Sequence, residues 1–325
     1  MLHMGWSVIY RAVQCPLIRA ISFGQSLHQR GMTTLPPRPK PPSESDCCNS
    51  GCDLCVKDIH EQELKIWENE CNNILLGQAP KSSLTPDTYT KCRLLDIKSV
   101  NHNTSVYTFD SLGYVEIKPG QHLILRELIE GISVTRQYTP IAVPNPQELT
   151  FKVLIKHYIN GCITSHIKTK WQVGDEVEWR GPHGMFLHSP NKYMKYIMLA
   201  AGTGIAPMIN VCKDIVRDDG DITTLRLLYA CKTYEDILLS YDLKQVASHW
   251  NFTYKTFLSQ EKEVEKKRSY GENLVSGKIT KDDIDLELIN PLSTRVLICG
   301  TREFNSAMID HCNQLNIQTE HIFKF

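Results

Sequence analysis

The stretch Tyr196–Met208, YIMLAAGTGIAPM, constrains this chain more than any other. An apolar run ends at Ala201 directly in Gly202-Thr203-Gly204, and Met208–Val216 continues at helical spacing. Further apolar runs at Leu225–Ala230, Phe252–Leu258 and Arg295–Cys299 alternate with helical patterns at Ile237–Trp250 and Phe304–Leu315. Strand alternating with helix is the pattern of a parallel α/β sheet. Glycines at the end of such a strand let a dinucleotide approach the backbone, and the next helix presents free N–H groups to phosphate. Pro207 stands where a Gly-x-Gly-x-x-Gly fingerprint has its third glycine. Taken alone, the stretch also fits an ordinary strand–turn–helix.

Upstream the texture differs. Lys91–Val100, Ser105–Phe109, His122–Arg126, Val134–Val143 and Leu149–Tyr158 read as short β runs, with turns at Pro119-Gly120 and Pro144-Asn145-Pro146. Strands so closely spaced predict an antiparallel barrel or sandwich. Before them lie a stiff spacer (Pro36, Pro37, Pro39, Pro41, Pro42) and the crowded cysteines Cys47, Cys48, Cys52 and Cys55. Val56–Glu70, with Ile59, Leu64 and Trp67 among charges, predicts one short amphipathic helix, and Gly77–Thr85 has linker composition. The expected order is a targeting or disordered Pro-rich tail (1–43), a small Cys-rich segment (44–76), an antiparallel β-barrel domain (86–190) and an α/β parallel-sheet domain (191–325).

A chain of 325 residues suits two domains. Its 36 basic and 36 acidic residues cancel, so no general field exists for a polyphosphate backbone and nucleic acid is not an expected partner. No run approaches the roughly 18 apolar residues of a spanning helix, so no transmembrane segment is expected. Of the twelve cysteines four cluster and the rest scatter, which predicts a reducing compartment rather than a disulfide framework. The four clustered thiols suit zinc, an iron–sulfur site, or a reduced knuckle that contacts a partner. Adjacent ligands such as Cys47 and Cys48 rarely both reach one metal. No acidic residue precedes Glu44, while Arg11, Arg19, Arg30, Arg38 and Lys40 do. With Trp6, Ile9, Tyr10, Val13 and Leu17 at helical spacing, interrupted by Pro16, this predicts a mitochondrial presequence; a disordered N-terminus is the plain alternative.

Four more motifs carry chemistry. In Arg136-Gln137-Tyr138-Thr139 the Arg suits a pyrophosphate, the Tyr offers a flat face and the Thr hydroxyl suits a ring nitrogen. An exposed alternating strand has the same look. Asn160-Gly161-Cys162-Ile163-Thr164-Ser165 precedes one or two helical turns, again suiting an anion at a helix start. Gly181-Pro182-His183-Gly184 ends the β region in a tight turn. RVLICG, Arg295–Gly300, ends a strand in Cys299, where ligands sit in parallel sheets and where a buried Cys is also ordinary core.

Their order is more specific than any one of them. With Lys156-x-Tyr158, Glu235-Asp236-Ile237-Leu238-Leu239 and Gly277-Lys278-Ile279-Thr280, the region from Tyr89 to Phe325 resembles the NADH–cytochrome b5 reductase branch of the ferredoxin–NADP reductase superfamily. The Pro-rich, Cys-rich segment resembles an oxidoreductase-like N-terminal module. The resemblance implies an FAD-binding barrel: Arg136 at the pyrophosphate, Gln137 beside it, Tyr138 against the flavin and Thr139 near flavin N5. Leu154, Lys156 and Tyr158 would line that site, with Gly161, Cys162, Ile163 and Thr164 cradling phosphate. It implies NADH at Gly202, Thr203, Gly204, Ala206 and Pro207, with Cys299 and Gly300 against the nicotinamide and Thr139 and Cys299 as catalytic residues. Asp236 would accept from the adenosine ribose and repel a 2′-phosphate.

The implied function is an FAD-dependent NADH reductase passing single electrons to a protein such as cytochrome b5 or another haem protein. Ala206 in place of the family's Thr, Cys162 in place of a Lys, and Thr301-Arg302-Glu303 in place of a proline run depart from the pattern. Two other functions fit the residues: a reductase-fold binding or assembly protein with little turnover, and a reductase feeding electrons through a metal on Cys47, Cys48, Cys52 and Cys55.

Overall fold

The computed structural model describes residues 35–43, 56–77, 83–143, 147–269 and 271–325. Residues 1–34, and with them the presequence pattern, lie outside this set, as do Cys47, Cys48, Cys52 and Cys55.

The barrel is built from β1 (Thr90–Asn101), β2 (Thr104–Asp110), β3 (His122–Ile129), β4 (Ile132–Tyr138), β5 (Pro140–Ala142), β6 (Thr150–Lys156) and β7 (Glu176–His183). The order across the sheet is β4-β3-β7-β1-β2-β6-β5, with antiparallel pairing throughout. Its core is aromatic. Phe109, Phe151 and Trp179 are fully buried, with ring centroids 5.1 to 5.3 Å apart. A helix, Cys162–Lys170, adds Ile163 and Ile167 to the same cluster.

Val134–Val143, expected as one strand, breaks at Thr139. Pro140 has no N–H for the β3 ladder. The chain instead crosses from β4, at one end of the sheet order, to β5, at the other, where Pro140 pairs with Val153. That crossing links the two edges and curls the sheet.

The N-terminal helix α1 spans Val56–Leu75, past the expected end at Glu70, because Cys71 continues the buried stripe of Glu63 and Ile66. The helix lies on the outer face of β3, β7 and the start of β1, with Ile66 against Tyr89 and Ile124. Glu63 is buried there, 2.5 Å from Arg180 Nη2, and its carboxylate accepts from the Tyr89 hydroxyl at 3.1 Å. Arg126 donates to Glu70 at 2.7 and 3.0 Å and to Glu178 at 2.7 Å, its guanidinium 3.9 Å from the Tyr89 ring centroid. The spacer differs from the tail expected to run to residue 43: Trp67 Nε1 donates to the Pro36 carbonyl, and Arg38 lies over the Trp67 ring.

With Cys162–Lys170 as α2, the second lobe comprises β8 (Lys195–Ala201), α3 (Ile205–Ile215), β9 (Thr224–Cys231), α4 (Ser240–Val246), β10 (Phe252–Leu258), α5 (Val264–Lys267), β11 (Leu274–Ser276), α6 (Lys281–Asp285), β12 (Thr294–Cys299), α7 (Arg302–Gln314) and β13 (Ile322–Lys324). The sheet is parallel, ordered β11-β10-β9-β8-β12-β13. Side chains of β8 alternate between two cores: Tyr196, Met198 and Ala200 pack with α3, and Ile197 and Leu199 with α7. The helix expected over Ile237–Trp250 is shorter. A single 3₁₀ turn covers Tyr234–Asp236, and Leu239, at φ 53°, separates it from α4.

Removing one partner of a buried ion pair strands the other, at a cost of about 3 kcal/mol. Glu63→Ala is therefore expected to destabilise the protein by about that amount in chemical unfolding, and exposed Glu61→Ala to leave stability unchanged. Beside Arg180, burial and that positive charge lower His122 and His183 to about 4. The unfolded chain takes up their protons near pH 6.5, so their contribution is complete above that pH and is lost as pH falls toward 4. The melting temperature should drop across this window, and less steeply in His183→Gln.

Candidate cofactor site at the seam of the lobes

β4 carries Arg136 and Gln137, both exposed, and half-buried Tyr138, whose ring meets Trp179 at 6.0 Å edge-on. Thr139 follows at the strand break. The loop after β6 turns at Gly161 into α2. A Cβ on Gly161 would overlap Thr164 Oγ1, so only glycine leaves the turn this tight. Thr164 Oγ1 accepts from the Tyr158 N–H at 3.2 Å and donates to the Gly161 carbonyl at 3.4 Å, so its hydroxyl serves the loop itself. No side chain caps the first turn of α2. Both β4 and α2 pack on β3, which puts an exposed guanidinium and an uncapped helix start on neighbouring elements. That donor set fits the phosphates of FAD. Cys162 is exposed at the first helical position, and Ile163 is buried as core, not as a ligand group.

On the other lobe the sheet order reverses between β8 and β12, and their carboxyl ends lie side by side. A Cβ on Gly204 would overlap the Cys299 carbonyl, and one on Gly300 would meet Phe304 and Ala201. Gly204 lets two backbones touch, and Gly300 makes room for two side chains. Gly202 differs: its φ is 54° and open space surrounds it, the backbone surface a dinucleotide needs. Ala206 and Pro207, expected at the cofactor, are buried in α3 and shape the site by packing. Burial of the sulfur pushes the Cys299 thiol up to about 12, which favours the neutral thiol, while the residue as a whole stays partly exposed at the end of β12.

The two halves meet through residues the motifs did not single out. Asn210 Nδ2 on α3 donates to the Pro140 carbonyl at 2.5 Å, and Asn101 Nδ2 to the Glu235 carbonyl at 3.0 Å. Lone asparagines carry no spacing signal, which is why sequence reasoning passes over them. Leu154 is buried against the core of the second lobe. Lys156 crosses the seam, its Nζ 3.8 Å from Asp236 Oδ1. Asp236 is 7% exposed; its Oδ2 accepts from the N–H and hydroxyl of Thr233, closing the turn after β9, while its Oδ1 is buried with no hydrogen-bond partner among the described residues. Tyr158, half exposed, borders the seam loop.

The barrel matches the oxidoreductase FAD-binding domain over residues 91–188, the second lobe the oxidoreductase NAD-binding domain over 198–311, and residues 30–75 the N-terminal region of oxidoreductase-like proteins. The fold and site thus define a flavin- and nicotinamide-binding oxidoreductase. The chain is 35% identical to a mouse NADH-cytochrome b5 reductase-like protein over 83% of its own length and 90% of the relative's. It is 36% identical to a human protein of the same description over 82% and 88%. It belongs to the NADH–cytochrome b5 reductase family, and it is an NADH-dependent flavoprotein reductase that passes electrons on to an acceptor. The fold is shared with the cytochrome b5 reductase domain of Ulva prolifera nitrate reductase (TM-score 0.64, 24% identity, 75% of this chain and 100% of that one). Among the described residues, no helix is long and apolar enough to cross a membrane.

Gly204→Ala sets a methyl against a backbone carbonyl that cannot rotate away, and should cost about 1–3 kcal/mol and slow flavin reduction by NADH. Gly202→Ala has room and should cost only its left-handed backbone, about 1 kcal/mol. Thermal unfolding of the two variants, with Gly202→Ala the more damaging, would contradict this reading of the crossing.

Proposed function

We propose that the acceptor is a small haem protein of the cytochrome b5 kind and that the chain works in the mitochondrion. The names of the relatives support the first part. The acid-free, arginine-bearing, amphipathic sequence before Glu44 supports the second. Arg136 is proposed to pair with the FAD pyrophosphate, the first turn of α2 to receive phosphate oxygens, and the Thr139 hydroxyl to bond the flavin edge. One observation carries these assignments: Thr139 directly precedes Pro140, whose carbonyl is bonded by Asn210 of the helix that Gly202-Thr203-Gly204 opens. The flavin-edge residue and the dinucleotide loop therefore come from adjoining backbone.

Bound flavin supplies the conversion of a two-electron hydride donor into a source of single electrons. The chain holds the donor and the flavin in register at the seam. Buried Ala206 and Pro207 present apolar surface there, and the raised thiol of Cys299 adds no charge.

Purified protein is expected to be yellow, to bleach within seconds under anaerobic NADH, and to reduce cytochrome b5. A colourless protein that takes up no FAD would point to the binding or assembly role instead. Arg136→Ala should lose flavin during purification, since a charge-assisted contact contributes roughly 1.5–3 kcal/mol. Thr139→Val should keep flavin and reduce slowly. Normal flavin occupancy and normal stopped-flow reduction in both variants would remove these assignments.

A further inference from the structure

Beneath the glycine loop that opens α3 sits one hydroxyl, on a residue that reads in the sequence as part of the apolar run Leu225–Ala230. Tyr229, two residues before the end of β9, is fully buried, with its ring in the core shared with α3. Its Oη accepts from the Leu238 N–H at 3.3 Å and donates to the Gly202 carbonyl at 3.1 Å. The direction follows from the groups. A backbone N–H can only donate, so the tyrosine proton is left for the carbonyl. Burial raises this hydroxyl well above its ordinary value, so it keeps that proton at any working pH. A buried Tyr hydroxyl needs one partner. This one joins two separate segments, the glycine loop after β8 and the chain that leaves the 3₁₀ turn Tyr234–Asp236.

Resting on the NADH reading above, we infer that Tyr229 is a positioning residue for NADH: its hydroxyl draws the Gly202 carbonyl inward, so that the next amide faces the crevice. In a trans peptide the C=O and the N–H that follows it point opposite ways. A Gly202 carbonyl drawn into the core therefore turns the Thr203 N–H outward, toward the side where Gly202 has open space. A pyrophosphate oxygen takes a donor of that kind. The hold matters because Gly202 is the least constrained point of the loop. At φ 54°, with nothing within 4 Å of the place a Cβ would occupy, packing does not fix its peptide plane. The Ile205 N–H also reaches this carbonyl, but from within the same turn, so that bond moves with the loop. Tyr229 is anchored on β9, which is paired on both sides by β8 and β10. An unheld loop would be set right again by bound NADH, so the hydroxyl contributes to affinity through pre-organisation and not to the rate once NADH is bound.

The test mixes the full-length flavoprotein anaerobically with NADH over a range of concentrations, so that flavin reduction yields a dissociation constant and a limiting rate. Tyr229→Phe should raise the dissociation constant roughly three- to tenfold, the worth of one hydrogen bond, with the limiting rate within about twofold and the flavin content unchanged. Tyr196→Phe is the control. Tyr196 is equally buried in the same core, but its hydroxyl bonds His188 Nδ1 at 2.8 Å, near the other end of β8. Both variants should melt about 2–4 °C lower, as the loss of a buried hydroxyl predicts. Only Tyr229→Phe should weaken NADH. An unchanged dissociation constant in Tyr229→Phe, an equal rise in Tyr196→Phe, or a fall in limiting rate at unchanged affinity would each overturn the inference. If NADH fails to bleach even the unaltered flavin-loaded protein, the NADH reading itself falls and this inference with it.

Discussion

The structure turns on a place where two backbones touch. Gly204 lies against the Cys299 carbonyl and Gly300 against Phe304 and Ala201, with no room for a Cβ at either glycine. Contact this close is possible only between neighbouring strands, and β8 and β12 are neighbours because the sheet order reverses there. The reversal sends α3 to one face and α7 to the other, which opens a crevice at the carboxyl ends between them. Gly202, with open space around it, is the part of this arrangement left for a ligand. Gly204 and Gly300 are glycine for lack of room, and Gly202 for its left-handed backbone.

A second constraint brings the barrel to that crevice. Because Pro140 cannot donate to the β3 ladder, the chain leaves one sheet edge at Thr139 and joins the other. The Pro140 carbonyl is then available to Asn210 on α3. The imide nitrogen that ends a strand is therefore what places Thr139 at the seam. Lys156 and Leu154 reach the second lobe from β6, the strand on which β5 closes. The seam is built from the strands that the crossing brings together, and its polar contacts are few and individually modest.

Much of this is legible in the residues. The run Tyr196–Ala201 is apolar without alternation because both its faces are buried, and β10 matches its apolar run Phe252–Leu258 at both ends. The order of the glycine motifs marks the crevice because backbone approach demands glycine whatever surrounds it. What stays hidden depends on direction. Asp236 caps Thr233 with one carboxylate oxygen and leaves the other buried without a hydrogen-bond partner among the described residues, and no spacing rule shows that division. Lys267 sits in the charged run Glu261–Arg268, which reads as a solvated surface until the fold lays it beside Glu235. Ala206 and Pro207 belong to the motif and are buried, because the first turn of α3 is covered on every side from Ile205 to Ile209.

The least legible part is the union of the N-terminal helix with the barrel. Charged residues in α1 read as solvent-facing, yet Glu63 is buried against Arg180, itself 1% exposed. A guanidinium is left in such a place only when its charge is answered. Arg180 finds Glu63, the Pro86 carbonyl and His183, while its Nε keeps no hydrogen-bond partner among the described residues. Glu63 comes from outside the barrel domain, so the domain alone would hold an unpaired cation beneath β3 and β7. Burial of two neutral histidines beside the same cation has the same logic, since neither adds charge to the cluster. The oxidoreductase-like region that ends at residue 75 is, through α1, part of the flavin domain's own electrostatics. A cut placed between α1 and Tyr89 would divide a charge cluster, which strand pattern alone does not reveal.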